Sequence, residues 1–167
     1  MNERNLHLPR RRLLLLAGSG LALSIAGCRT TDVLTPDDAQ ARAETEGALK
    51  LVNDLRDAKG RTPLVRAKEA ETAAIIQAKS MAHAGKMTHL IGFNDSFLER
   101  MKGSNVPLPA AENIATGQDT VGRAVQAWID SKKHLENMLG SYRGLGVAVA
   151  FDASSANRPY WAMVLSA

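Results

Sequence analysis

The chain of 167 residues predicts an α+β domain, and two changes of hydrophobic period carry that prediction. Two stretches place apolar residues at i, i+3, i+4 and i+7, the mark of amphipathic helices, and a third between them carries a small-residue face. Toward the end of the chain Leu145 to Phe151 switch to alternation and a second β-rich run follows, the marks of strands. Helical segments first and a strand pair last are the pattern of α+β folds. The sole cysteine, Cys28, lies far upstream of these stretches, so no disulfide staples them and burial alone must hold the fold.

The first helix is expected from Asp38, with Asp37 or Asp38 after Pro36 as its cap, Ala48, Leu51, Val52 and Leu55 as its apolar stripe, and Gly60 as its end. Pro63 should open a second helix whose face is Leu64, Ala67, Ala74, Ala78, Met81 and Ala82, closed by Gly85. So many alanines on one face imply a close helix approach. His83 is offset from that face and is expected to be exposed. A loop with Met87-Thr88-His89-Leu90 leads to a short helix, Ser96 to Met101, capped by Gly103. Asn105 to Pro109 should be extended, because a residue before proline is pushed out of the helical region. Val121, Ala124, Val125, Trp128 and Ile129 define a third long helix capped by Asp119 or Thr120, with Trp128 inside. Leu145, Val147, Val149 and Phe151 then alternate with small residues, and Pro159 to Leu165 is a second β-rich run. The two strands should pair antiparallel across Asp152 to Arg158, with Tyr160, Trp161 and Met163 inside the sheet.

Upstream, Arg10-Arg11-Arg12 precede an apolar run from Leu13 to Gly27 that stops at Cys28. A basic segment, an apolar segment and small residues before a cut site are the parts of a secretory signal. Ile25-Ala26-Gly27-Cys28 resembles the processing box of bacterial lipoproteins. The expected organisation is a signal over 1–27, an acylated Cys28 and tether over 28–37, and one domain over 38–167. An uncleaved transmembrane helix is the competing reading, weakened by Gly18, Ser19, Gly20 and Ser24. Arg10 to Leu14 also resembles a twin-arginine export signal, so Sec and Tat routes both stay open. Arg29, rather than aspartate, after the cysteine implies the periplasmic face of an outer membrane.

The net charge of +4 belongs mostly to that leader. Residues 1–27 hold four of the 21 basic and one of the 17 acidic side chains, leaving 17 against 16. A nearly neutral domain without a basic, aromatic-lined strip gives no reason to expect a nucleic-acid partner. The expected partners are the membrane, through the anchor, and a lipid or cell-wall ligand, with the domain a monomer.

Among polar residues, His89, Glu112 and His134 stand out, but spacing alone does not join them. Taken alone, each histidine reads more readily as an ordinary surface or core hydrogen-bonding residue than as a ligand, and Glu112 as solvated. Asn53 and Arg56, at i and i+3 on the first helix, read as structural braces. What joins the three is the order of seven blocks: Leu51-Val52-Asn53-x-x-Arg56, Pro63-Leu64, Met81-Ala82-x-x-Gly85-x-x-x-His89, Arg100, Ala111-Glu112-Asn113-Ile114-Ala115-x-Gly117, Trp128-x-x-Ser131-x-x-His134-x-x-Asn137-x-Leu139, and Gly144-Leu145-Gly146-Val147. This order, spanning Leu49 to Leu165, resembles the CAP superfamily of cysteine-rich secretory, antigen 5 and pathogenesis-related 1 proteins, in its short bacterial form.

The resemblance implies a three-layer α-β-α sandwich with a small antiparallel sheet and a central cleft. It maps His89 and His134 onto the family's two cleft histidines and Glu112 onto its glutamate. Asn113 and Ser131 are supporting residues, Ser131 standing where eukaryotic members carry a second glutamate. Two imidazoles and a carboxylate suit Zn²⁺ or another divalent cation. Lys132-Lys133 stands where bacterial relatives carry Pro-Gly and adds charge near the cleft mouth. Three functions follow: a tethered binding module for a small amphiphile or envelope fragment, a metal-assisted hydrolase of envelope peptide, glycan or lipid with Glu112 as base, or an interaction module. A binding module needs an apolar rim, for which Met87, Leu90, Ile91 and Phe93 are candidates, and core packing is the alternative role for those four.

Overall fold

The structure is a computed structural model that describes residues 40–93 and 95–167. The expected signal, Cys28, the tether and the caps Asp37 and Asp38 lie outside the described residues. In chain order the elements are β1 (Gln40–Ala43), α1 (Thr45–Ala58), β2 (Val65–Arg66), α2 (Lys68–Ala84), α3 (Phe97–Gly103), β3 (Ala110–Thr116), α4 (Val121–Ile129), α5 (Lys132–Met138), β4 (Gly144–Phe151) and β5 (Tyr160–Ser166).

The sheet runs β1-β4-β5-β3, antiparallel along that path, and β2 adds two residues parallel to the start of β4. As expected, β4 and β5 pair antiparallel, and β5 lies inside the sheet. Alternation along the strands sorts side chains into two cores. Leu145, Val147 and Val149 of β4 and Trp161, Met163 and Leu165 of β5 pack with Ala48 and Val52 of α1, Val125 and Trp128 of α4 and Met138 of α5. Ala148, Ala150, Tyr160, Ala162 and Val164 face the other way, onto the alanines of α2 and Met101 of α3. Helices on both faces of one sheet make the three-layer sandwich.

Small residues let α2 lie close to the sheet. Ala70, Ala73, Ala74, Ala78 and Ala82 are fully buried against β4 and β5. Opposite them, Gly146 leaves no space for a side chain, since an added Cβ would fall into the backbone of Ala70 and Glu71. Gly85 ends α2 in the left-handed region at φ 63°, as glycine permits.

Three expectations fail for tertiary reasons. The first helix does not start near Asp38, because Gln40–Ala43 instead pairs with Ala148–Phe151 as an edge strand. The switch to helix comes at Thr45, whose hydroxyl donates to Val147 O and accepts from Val147 N–H. Pro63 does not open α2; it precedes β2, and the helix begins five residues later behind Ala67. Residues 110–116, for which no strand was expected, form β3, the outer strand beside β5. Asn105 is also not extended but left-handed, at φ 55°. Asn53 and Arg56 do brace the fold: Asn53 bonds both the N–H and C=O of Leu64, and Arg56 bonds backbone carbonyls of two loops.

Candidate functional site

The edge strand β3 positions the site, because its alternation sends neighbouring residues to opposite faces of the sheet. Ile114 belongs to the α2 core and Ala111 and Ala115 to the α1/α4 core, so Glu112 faces α2 and α3 while Asn113 faces α4 and α5.

On the first face, Glu112 is not solvated; its side chain is 2% exposed. Its carboxylate accepts from Nη2 of Arg100 at 2.9 and 3.0 Å and from Nδ1 of His89 at 2.8 Å. A charge buried this deeply needs such partners. Arg100, on α3 and also nearly buried, uses Nη1 to reach the carbonyls of His89 and Asp95 at 2.8 and 2.7 Å. One guanidinium thus ties the 86–96 loop to the edge strand. Gln77 of α2 adds a bond to Thr88 O at 2.8 Å. His89 donates from Nδ1 to the carboxylate while its ring stays half exposed.

On the second face, Asn113 is fully buried and pins α5 to β3. Its amide donates to His134 O at 3.1 Å and its carbonyl accepts from Asn137 at 2.8 Å. His134 stands on the first turn of α5, which Lys132 and Lys133 open as ordinary helix. Burial first, then the charges of His89 and Lys133, lower its pKa and favour the neutral ring. Ser131 is the residue before α5, and its hydroxyl makes no hydrogen bond among the described residues.

The structure therefore joins His89 to Glu112 and Asn113 to His134. It does not gather His89, Glu112 and His134 into a three-donor cation site: Arg100 holds both oxygens of Glu112. No group of three or more His, Cys, Asp or Glu side chains among the described residues stands ready to hold an ion. The sequence reading had Arg100 only as a motif residue and missed Gln77 and Asp95. It also placed His83 in solvent, whereas its Nδ1 lies 3.3 Å from the buried Asp152 carboxylate.

Met87, Leu90 and Phe93 are exposed, at 50%, 60% and 105%, while Ile91 packs on the α2 core. Leu90 and Phe93, with Gly92, Asp95, Ser96 and Glu99, line an open groove of about 550 Å³ in the same loop region.

An α-β-α sandwich with a His–Glu pair at the edge strand and a second histidine on α5 defines a class of protein rather than one activity. The sequence profile of CAP, described as the Cysteine-rich secretory protein family, matches residues 49–165, and the chain belongs to that family. Solved structures agree on the fold. An extracellular protein containing an SCP domain from Bacillus anthracis superposes with a TM-score of 0.66 at 23% identity, over 74% of this chain and 40% of that one. An outer surface protein from Borrelia burgdorferi gives 0.62 at 18% identity, over 76% of this chain and 98% of its own. A cysteine-rich secretory protein from Staphylococcus aureus gives 0.54 at 17%, over 74% and 38%. This chain thus spans well under half of the Bacillus and Staphylococcus proteins. Comparison with curated proteins yields no match. No helix among the described residues is long and apolar enough to cross a membrane.

Proposed function

We propose that this chain is an exported, lipid-anchored CAP domain that binds a small amphiphile from the cell envelope at the β3 edge. The carrying observation is a half-exposed imidazole, His89, held by a buried Arg100–Glu112 pair beside three solvent-facing apolar side chains, Met87, Leu90 and Phe93. A polar group fixed beside exposed apolar side chains suits a ligand with a polar head and an apolar tail. The signal over 1–27, acylation of Cys28 and a periplasmic outer-membrane location extend this reading. The extracellular and outer-surface descriptions of the structural neighbours support it.

The test is a fluorescence titration with a dansyl-labelled fatty acid, comparing the protein with Leu90→Ser/Phe93→Ser and His89→Ala. Saturable micromolar binding weakened by both variants, with unchanged circular dichroism, is expected. No binding, or binding indifferent to both variants, would sink the proposal. A parallel Zn²⁺ titration asks whether a cation joins the ligand. Heat that disappears in His134→Ala would make it a co-occupant through the two ring nitrogens, and no heat leaves the amphiphile alone.

A further inference from the structure

A second concavity, of about 340 Å³, lies between the loop after α1 and the loop after α5. Its walls are Arg56, Arg61, Arg143, Thr62, Ser141 and Tyr142, with two glycines. Three arginines thus line a pocket whose lining holds no carboxylate. Neither Arg61 nor Arg143, both exposed, forms an ion pair among the described residues.

The floor is Arg56, 1% exposed and compensated only by backbone carbonyls. Nε donates to Thr62 O at 2.7 Å, Nη1 to Met138 O and Gly140 O at 2.6 and 3.0 Å, and Nη2 to Tyr142 O at 3.5 Å. A guanidinium has five N–H bonds. One N–H on Nη2 therefore lacks an acceptor among the described residues. The carbonyl of Met138 at the end of α5 and those of Thr62, Gly140 and Tyr142 in the two loops, which would repel an anion, are already turned onto Arg56. Burial and the nearby Arg61 charge both work against the Arg56 cation. An anion seated between the two guanidinium groups would relieve that repulsion.

We propose that this pocket is a binding site for a phosphate group, gripped by Arg61 and Arg143 and seated on the spare N–H of Arg56 and the hydroxyls of Thr62 and Ser141. Guanidinium forks match tetrahedral oxyanions in charge and geometry. Free phosphate and the head group of an anionic lipid share this chemistry, and the site is independent of the β3 cleft.

The experiment titrates the full chain, in neutral detergent, with inorganic phosphate and follows the backbone amide shifts of Arg61, Thr62 and Ser141. Saturable shifts are expected, with affinity falling about tenfold or more in Arg61→Gln/Arg143→Gln, given the strength of charge-assisted bonds. Lys68→Gln/Lys132→Gln, which removes the same charge elsewhere, should bind like the unmodified chain. Arg56 is left intact because its loss threatens folding. Absence of saturable shifts, equal affinity in the arginine variant, or an equal loss in the lysine variant would each overturn the proposal. A second titration with monomeric dihexanoyl phosphatidylglycerol identifies the source. Tighter binding than inorganic phosphate assigns a lipid head group, and weaker binding assigns free phosphate.

Discussion

Replacing Arg100 by methionine should strip Glu112 of its main counter-charge while the carboxylate stays 2% exposed. Removing one partner of a buried pair typically costs about 3–5 kcal/mol, because the remaining charge is left uncompensated. Two further losses add to this, the bonds from Nη1 to the carbonyls of His89 and Asp95. One gain opposes them: His89 is half exposed, already touches Glu112 at 2.8 Å, and still provides a partner. The expected net loss is about 3 kcal/mol, a large part of the roughly 5–15 kcal/mol that holds a domain together. Urea unfolding followed through Trp128 and Trp161, both buried in one core, measures it directly. The decisive comparison is Arg100→Met/Glu112→Leu, which removes both charges and should be more stable than Arg100→Met by about 1–2 kcal/mol. A single variant within about 1 kcal/mol of the unmodified protein, or a double variant less stable than the single one, would refute the reasoning.

Other consequences are open to the same instruments. Gly146→Ala drives a Cβ into the Ala70–Glu71 backbone and should destabilise by about 1–3 kcal/mol or more, read by thermal melting; a wild-type melting temperature would show that α2 can retreat at no cost. Asn113→Leu leaves His134 O and Asn137 without their partner and should cost about 1–3 kcal/mol while freeing α5, seen as faster amide exchange across 132–138 and unchanged exchange in α2. The lowered pKa of His134 sets the sign of a pH effect: below its ordinary value of 6.5 the unfolded chain binds the proton more readily than the folded one. Stability should therefore fall as pH drops through and below 6.5 and level off above it. His134→Asn should reduce that slope, and an unchanged slope would assign it elsewhere.

Much of the fold was legible because helix and strand periods are local properties. The α4 stripe, the α2 alanines and the β4–β5 alternation all reflect one face meeting one core, and each landed as expected. What failed was decided by pairing. Gln40–Ala43 has no β character of its own and becomes a strand because β4 offers an unfilled edge. β3 was hidden because its apolar face is interrupted by Glu112, and no local pattern announces that Arg100 will neutralise it. The site histidines were found by motif order alone. Their separate roles, one ring on a buried ion pair and the other on a helix pinned by Asn113, depend on which face of β3 each meets, and a sequence does not display that before the strand is known.

The central place of β5 constrains how the molecule can be made. It is the last element in chain order, yet it lies between β4 and β3 and supplies Trp161, Met163 and Leu165 to one core and Tyr160, Ala162 and Val164 to the other. Every strand and helix synthesised earlier waits for those six residues before either core can close. During synthesis β3 and β4 therefore hold unfilled edges until β5 has been made. A stop codon or proteolytic cut before Tyr160 would therefore remove the keystone of the whole molecule and leave nothing that folds.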